Sequence, residues 1–130
     1  MTSEDTVLIV DDDVVVRLTA AAILKRTGIL ANSVGSGEEA LAFLAAGHLP
    51  SAILCDYFLP IMSGEEVVRQ IRSHPSWKNI PVILLTGRAS GAEWERAAVL
   101  CDATLTKPFR ADDLTSLVNR LLGSEDEKVA

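Results

Sequence analysis

The sequence predicts an α/β fold: an open, doubly wound sheet of five parallel strands with helices on both faces. Three observations carry this prediction. Five short runs rich in Val, Ile and Leu recur along the 130 residues. A segment of helical length follows each run. The runs lack polar alternation, as strands buried on both faces do. Right-handed crossovers then favour the doubly wound order.

The first run, residues 7–10, leads into Asp11-Asp12-Asp13. Residues 14–27 predict a helix that carries Leu18, Ala21, Ala22 and Ile23 on an alanine-rich stretch and stops at Gly28, a typical residue just past a helix end. The second run covers residues 30–34. Gly37-Glu38-Glu39 then places acids at the positive end of a helix that stops at Gly47. The third run, 52–55, meets Asp56. Residues 64–73 form the next helix through Val67, Val68 and Ile71, and Pro75 blocks its continuation. The fourth run, 82–85, meets Thr86-Gly87, and a shorter helix spans 92–100 after Ser90-Gly91. The fifth, 103–106, meets Lys107-Pro108. In the last helix Leu114, Leu117, Val118, Leu121 and Leu122 fall at i, i+3, i+4, i+7 and i+8, and Gly123 closes it. One domain over 1–130 is expected, with its core at about 6–122 and frayed polar ends at 1–5 and 124–130.

Composition narrows the function. Hydrophobic residues make up 48% of the chain, enough for a buried core. Twelve Lys and Arg against eighteen Asp and Glu give a net charge of −6, which repels phosphate backbones and argues against direct nucleic-acid binding. No apolar run approaches the ~18 residues of a membrane span. The acidic start, Met1-Thr2-Ser3-Glu4-Asp5, lacks the basic and apolar parts of a secretory signal. Cys55 and Cys101 form neither a metal spacing nor a disulfide framework. Both read as small apolar residues in a reducing compartment, and a cytoplasmic location is expected.

The chemistry lies at the residues directly after each strand. In a doubly wound sheet the carboxyl ends of the strands open onto one rim, where ligands bind. Asp11, Asp12, Asp13 and Asp56, the Thr86 hydroxyl and the Lys107 ammonium should converge there. Clustered carboxylates repel unless a pKa rises or a cation binds. Oxygen ligands without His or Cys select a hard ion, and a small open cluster suits Mg²⁺. A cation beside a carboxylate, a lysine and a hydroxyl suits phosphoryl transfer, with a carboxylate as acceptor. No Gly-x-x-x-x-Gly-Lys-Ser/Thr run is present, which argues against a bound nucleotide as donor. Asp13 reads either as a third ligand or, more simply, as a helix N-cap. His48 and His74, at or after helix ends, read as favouring the negative helix termini.

Taken in order, Val-Asp11-Asp12, Cys-Asp56-Tyr-Phe-Leu-Pro-Ile-Met-Ser-Gly64, Leu-Leu-Thr86-Gly87 and Leu-Thr-Lys107-Pro108-Phe109 resemble the receiver (CheY-like) domain of two-component response regulators over residues 6–122. The resemblance implies a flavodoxin-like fold with strand order 2-1-3-4-5. It implies Asp56 as phosphoacceptor, and Asp11, Asp12, Asp56 and the Phe58 main-chain carbonyl as Mg²⁺ ligands. Lys107 and Thr86 would contact the phosphoryl group, and Pro108 would follow a cis bond. The donor would be the phosphohistidine of a histidine kinase or phosphotransfer protein. Slow self-dephosphorylation would come next, with Phe58 and Arg88 bordering the path of the attacking water. Output would pass through the fourth helix, fifth strand and fifth helix, roughly residues 91–122, to a downstream target, an absent output domain or a second copy. The chain departs from the family pattern at the switch position, Thr104, usually Tyr or Phe. A switch that uses the fourth helix, reported by Trp94, is expected in its place.

Two other readings compete. Val10-Asp11-Asp12-Asp13-Val14-Val15 also resembles the start of haloacid-dehalogenase-type phosphatases, with Asp11 as nucleophile. That reading leaves Asp56 without a role and lacks a late strand to deliver an acidic pair, since Asp112-Asp113 falls at a helix start. The other is a receiver-like interaction module that is never phosphorylated.

Overall fold

The computed structural model describes residues 5–87 and 91–129, and side chains as far as residue 123. Five strands, β1 (Thr6–Val10), β2 (Leu30–Val34), β3 (Ala52–Asp56), β4 (Val82–Thr86) and β5 (Ala103–Thr106), alternate with five helices. These are α1 (Val14–Lys25), α2 (Gly37–Ala45), α3 (Gly64–Ser73), α4 (Ala92–Ala98) and α5 (Ala111–Val129). All pairings are parallel, and the strand order is 2-1-3-4-5, the flavodoxin-like arrangement.

Alternate residues of a strand point to opposite faces, so the sheet feeds two cores. On one face Val7, Ile9, Leu54, Ile83 and Leu85 meet Ala20 and Leu24 of α1 and Leu114 and Val118 of α5. On the other, Leu8, Val10, Ile53 and Val82 meet Leu44 of α2 and Val67, Val68 and Ile71 of α3. A smaller third cluster joins Tyr57, Leu84, Trp94 and Ala97, and it seats α4. Helix starts are capped where side chains allow: Asp13, Ser36 and Ser63 each accept a backbone N–H of the first turn.

The buried side of α1 is Ala20 and Leu24, while Leu18 is 67% exposed and Ala22 lies outward. The helix is apolar nearly all round, so composition alone does not mark its inner face. The structure corrects three expectations. β2 and β5 are sheet edges, and Leu30 on β2 is 69% exposed, so burial on both faces holds only for the central strands. Gly123 does not close α5, whose backbone continues to Val129. A helical glycine costs about 1 kcal/mol relative to alanine, and no proline follows to stop the chain. α4 ends at Ala98, two residues short of the expected 100.

His74 also departs from its expected role. Its ring stacks on Trp77 at 3.7 Å and 7°, and its Nδ1 accepts the Ser76 N–H, so it serves as acceptor and platform. His48 packs on Phe43 at 4.8 Å.

Candidate functional site

Parallel strands carry their carboxyl ends to one rim, and each end delivers a polar residue. Asp11, directly after β1, is fully buried. Its N–H donates to the Val34 carbonyl at 3.2 Å, and its Oδ1 accepts the Asp13 N–H at 2.9 Å. Asp56, the last residue of β3, is 4% exposed; Thr86, ending β4, is fully buried. Lys107, after β5, donates its N–H to the Thr86 carbonyl, and the Lys107–Pro108 bond is cis, as expected. The Lys107 ammonium lies 3.0 Å from Asp11 Oδ2 and 3.3 Å from Asp56 Oδ2. Oxygens of Asp11, Asp12 and Asp56 all fall within 4.8 Å of one another.

Other expected residues sort around this centre. Asp13 turns out to be the α1 N-cap, its Oδ1 accepting the Val15 N–H at 2.8 Å. Phe58 donates its N–H to the Asp56 carboxylate, while its side chain is 62% exposed and edge-on to Tyr57. Thr104 is exposed on β5. Arg88 lies outside the described residues. The Cys55 thiol is fully buried and pushed well above the usual thiol range, by burial first and then by Cys101, Asp56 and Asp11. Burial beside two carboxylates thus holds it in the thiol form, which disfavours reaction. No strand follows β5 among the described residues, and Asp112 and Asp113 sit in the first turn of α5, so the phosphatase-type reading finds no late acidic strand.

The electrostatics favour a cation. Three carboxylates and one ammonium leave the cluster at −2 when ionised. Burial, then the charge of Asp11, raises the Asp56 carboxyl to about 6, against the pull of Lys107 and the Phe58 N–H. Burial disfavours the Lys107 ammonium, yet Asp11 and Asp56 outweigh it and hold Lys107 above the usual lysine range. Asp11 Oδ2 pairs with Lys107 in charge but accepts no hydrogen bond of good geometry, although it is buried. A lone pair on that atom is therefore left for a cation. Oxygen donors, a net charge of −2 and this lone pair fit Mg²⁺.

Two residues contribute in ways not foreseen in the sequence. Gly64 is one. A Cβ there would collide with the Asp56 carbonyl oxygen and lie 2.7 Å from Tyr57 Cα, so only glycine lets α3 start against the end of β3. Its N–H closes the loop onto the Tyr57 carbonyl at 2.9 Å. Arg17 is the other: its Nη1 donates to the Asp11 main-chain carbonyl at 2.8 Å. The six-residue separation from Asp11 is the only sequence signal for it.

Comparison with known proteins agrees with this geometry. The family model described as the response regulator receiver domain matches residues 7–119. The chain is 32% identical over 117 residues to the two-component response regulator ORR11 of Oryza sativa, covering 89% of this chain and 80% of that protein. It is 30% identical over 122 residues, 92% of its length, to the response regulator Rre1 of Synechocystis, but spans only 52% of that relative. Among solved structures, it superposes with a TM-score of 0.84 on the receiver domain of a sensor histidine kinase from Pseudomonas aeruginosa, at 28% identity and covering 93% of this chain and 99% of that one. That structure holds a magnesium ion in its active-site cleft.

Proposed function

The chain belongs to the response regulator receiver family, and from that membership we propose that Asp56 accepts a phosphoryl group from a phosphohistidine. Receiver domains work with histidine kinases or phosphotransfer proteins, and the donor here is such a protein. The observation that carries the reading is the contact of Lys107 with both Asp11 and Asp56 inside the three-carboxylate cluster.

An Asp56 carboxylate oxygen attacks phosphorus, the bond from phosphorus to the imidazole nitrogen breaks, and the histidine leaves. The product is an aspartyl phosphate. Asp11, Asp12, Asp56 and the Phe58 main-chain carbonyl would hold Mg²⁺, which when bound neutralises charge on the phosphoryl oxygens. Lys107, 3.3 Å from Asp56, presents its ammonium to the same oxygens. Thr86, at the end of the neighbouring strand, donates its hydroxyl to them. Hydrolysis reverses the modification slowly, with water entering past Phe58. Val15, two residues after the Asp13 cap, and Phe58, two residues after Asp56, are exposed apolar side chains, which favours a protein donor over a small molecule. The face of α4, β5 and α5 carries output, to a downstream protein, an output domain or a second copy. Among the described residues no helix is long and apolar enough to cross a membrane. With two free thiols, this supports a cytoplasmic site of action.

The test is incubation with Mg²⁺ and a small phosphoryl donor, with intact-mass measurement of the product. Wild type gains one phosphoryl mass, and Asp56→Asn gains none. An undiminished gain in the variant removes Asp56 as acceptor.

A further inference from the structure

We infer that Arg17 is a positioning residue for the acidic cluster, tying down the Asp11–Asp13 turn so that Asp11 and Asp12 share one divalent cation with Asp56. The inference rests on Mg²⁺ binding at that cluster.

The bonds around the turn show why. Asp11 is held through four of its atoms: its N–H by Val34, its Oδ1 by the Asp13 N–H, its Oδ2 by the Lys107 charge and its carbonyl by Arg17. The Arg17 N–H also donates to the Asp13 carbonyl at 3.1 Å, the first main-chain bond of α1, which any residue at 17 would make. Asp12 lies between these two anchor points. It is exposed, and among the described residues nothing donates a hydrogen bond to its carboxylate. The direction of that carboxylate therefore depends on the backbone turn, which the Arg17 guanidinium fastens at the Asp11 carbonyl. The guanidinium is itself confined: a Cβ on Gly35 would sit 3.3 Å from Arg17 Nη1, and the Gly35 N–H is bonded to Glu39 Oε1 at 2.8 Å. Arg17 thus fills the gap between the loops that leave β1 and β2.

Charge and position make opposite predictions, which separates them. A cation near the cluster repels Mg²⁺, so if Arg17 acted only through its charge, removing it would tighten Mg²⁺ binding. Loss of an outer partner that orients the ligands weakens metal binding, by roughly ten- to a hundred-fold in known sites.

The experiment is calorimetric titration of Mg²⁺ into the unphosphorylated full chain, for wild type, Arg17→Met, Arg17→Lys and Gly35→Val, with folding checked by circular dichroism. Arg17→Met should weaken Mg²⁺ binding by about ten-fold. Arg17→Lys, which keeps a donor for the Asp11 carbonyl, should recover most of that loss. Gly35→Val displaces the guanidinium but leaves its charge in place, and should weaken binding too. It carries the test if Arg17→Met does not fold. Unchanged or tighter binding in a folded Arg17→Met or Gly35→Val overturns the role of Arg17 alone. A wild type that takes up no Mg²⁺ overturns the metal-site reading, and this inference with it.

Discussion

Arg72 Nη2 donates to Asp102 Oδ2 at 2.9 Å, and the same carboxylate oxygen accepts the Val82 N–H at 2.8 Å. The rest of the guanidinium bonds main-chain carbonyls: Nε to Leu100 at 2.7 Å, and Nη1 to Lys78 at 2.9 Å and Ile80 at 2.8 Å. One side chain of α3 thus binds the loop entering β4 and the loop entering β5, at the end of the sheet opposite the acidic cluster. An isolated surface ion pair is worth at most ~1 kcal/mol. Arg72 does more, because losing it strands the Leu100 and Ile80 carbonyls in a partly buried place. Arg72→Ala should lower unfolding stability by about 3 kcal/mol, read from urea denaturation. Arg72→Lys should recover little of this, since one ammonium has no planar fork with which to reach all four acceptors. Full recovery by lysine would mean that charge alone matters.

Gly64 makes a second prediction. Adding a methyl there drives it into the Asp56 carbonyl and Tyr57 Cα, both of them backbone that has no rotamer to yield. Gly64→Ala should destabilise the fold by about 3 kcal/mol. At temperatures where the variant is folded, it should also reduce phosphoryl uptake measured by intact mass, because the shifted backbone carries Asp56. Wild-type uptake with a wild-type melting temperature would show that the close approach relaxes without harm.

These two residues also show where reading the sequence succeeds and where it stops. All five strands lie within one residue of their expected ends, because short apolar runs closed by polar or turn residues leave few alternatives. The gathering of Asp11, Asp12, Asp56 and Lys107 is legible for a related reason: each stands at or just past a strand end, and parallel topology brings strand ends together. Arg17 and Arg72 are not legible. Their partners are mainly main-chain carbonyls, which every residue carries and which leave no mark in a sequence. The inner face of α1 escapes a sequence reading because Leu18 and Leu24 look equally apolar until the sheet decides which one it covers.

The third prediction concerns pH in the metal-free protein. The folded Asp56 carboxyl sits at about 6 against an ordinary 3.8, so between these values the folded state holds a proton that the unfolded state has lost. Stability must then fall as pH rises through that window. Urea midpoints in chelator should decline from pH 4 to pH 7 in wild type, and this decline should be much reduced in Asp56→Asn. The Lys107 shift lies in the alkaline range and leaves this window untouched. An equal slope in both proteins would assign the effect to other carboxylates.

The last prediction concerns how occupancy of Asp56 reaches α4. Tyr57, the next residue along, meets Trp94 edge-on, with centroids 5.6 Å apart and planes at 88°. Trp94 is 7% exposed and, with Ala97, is what α4 buries. The helix has only seven residues, and its N-cap, Gly91 at φ 102°, supplies no side-chain hydrogen bond. So short a helix has little stability of its own, and its position depends on that ring contact. Thr104, exposed on β5, offers no ring to take over the task. Phosphorylation should therefore change Trp94 fluorescence, measured with Trp77 replaced by Phe, and should alter amide exchange in α4. Tyr57→Leu should keep the mass gain at Asp56 while losing most of the fluorescence response. A response that survives undiminished in Tyr57→Leu would mean that the signal leaves Asp56 by another route.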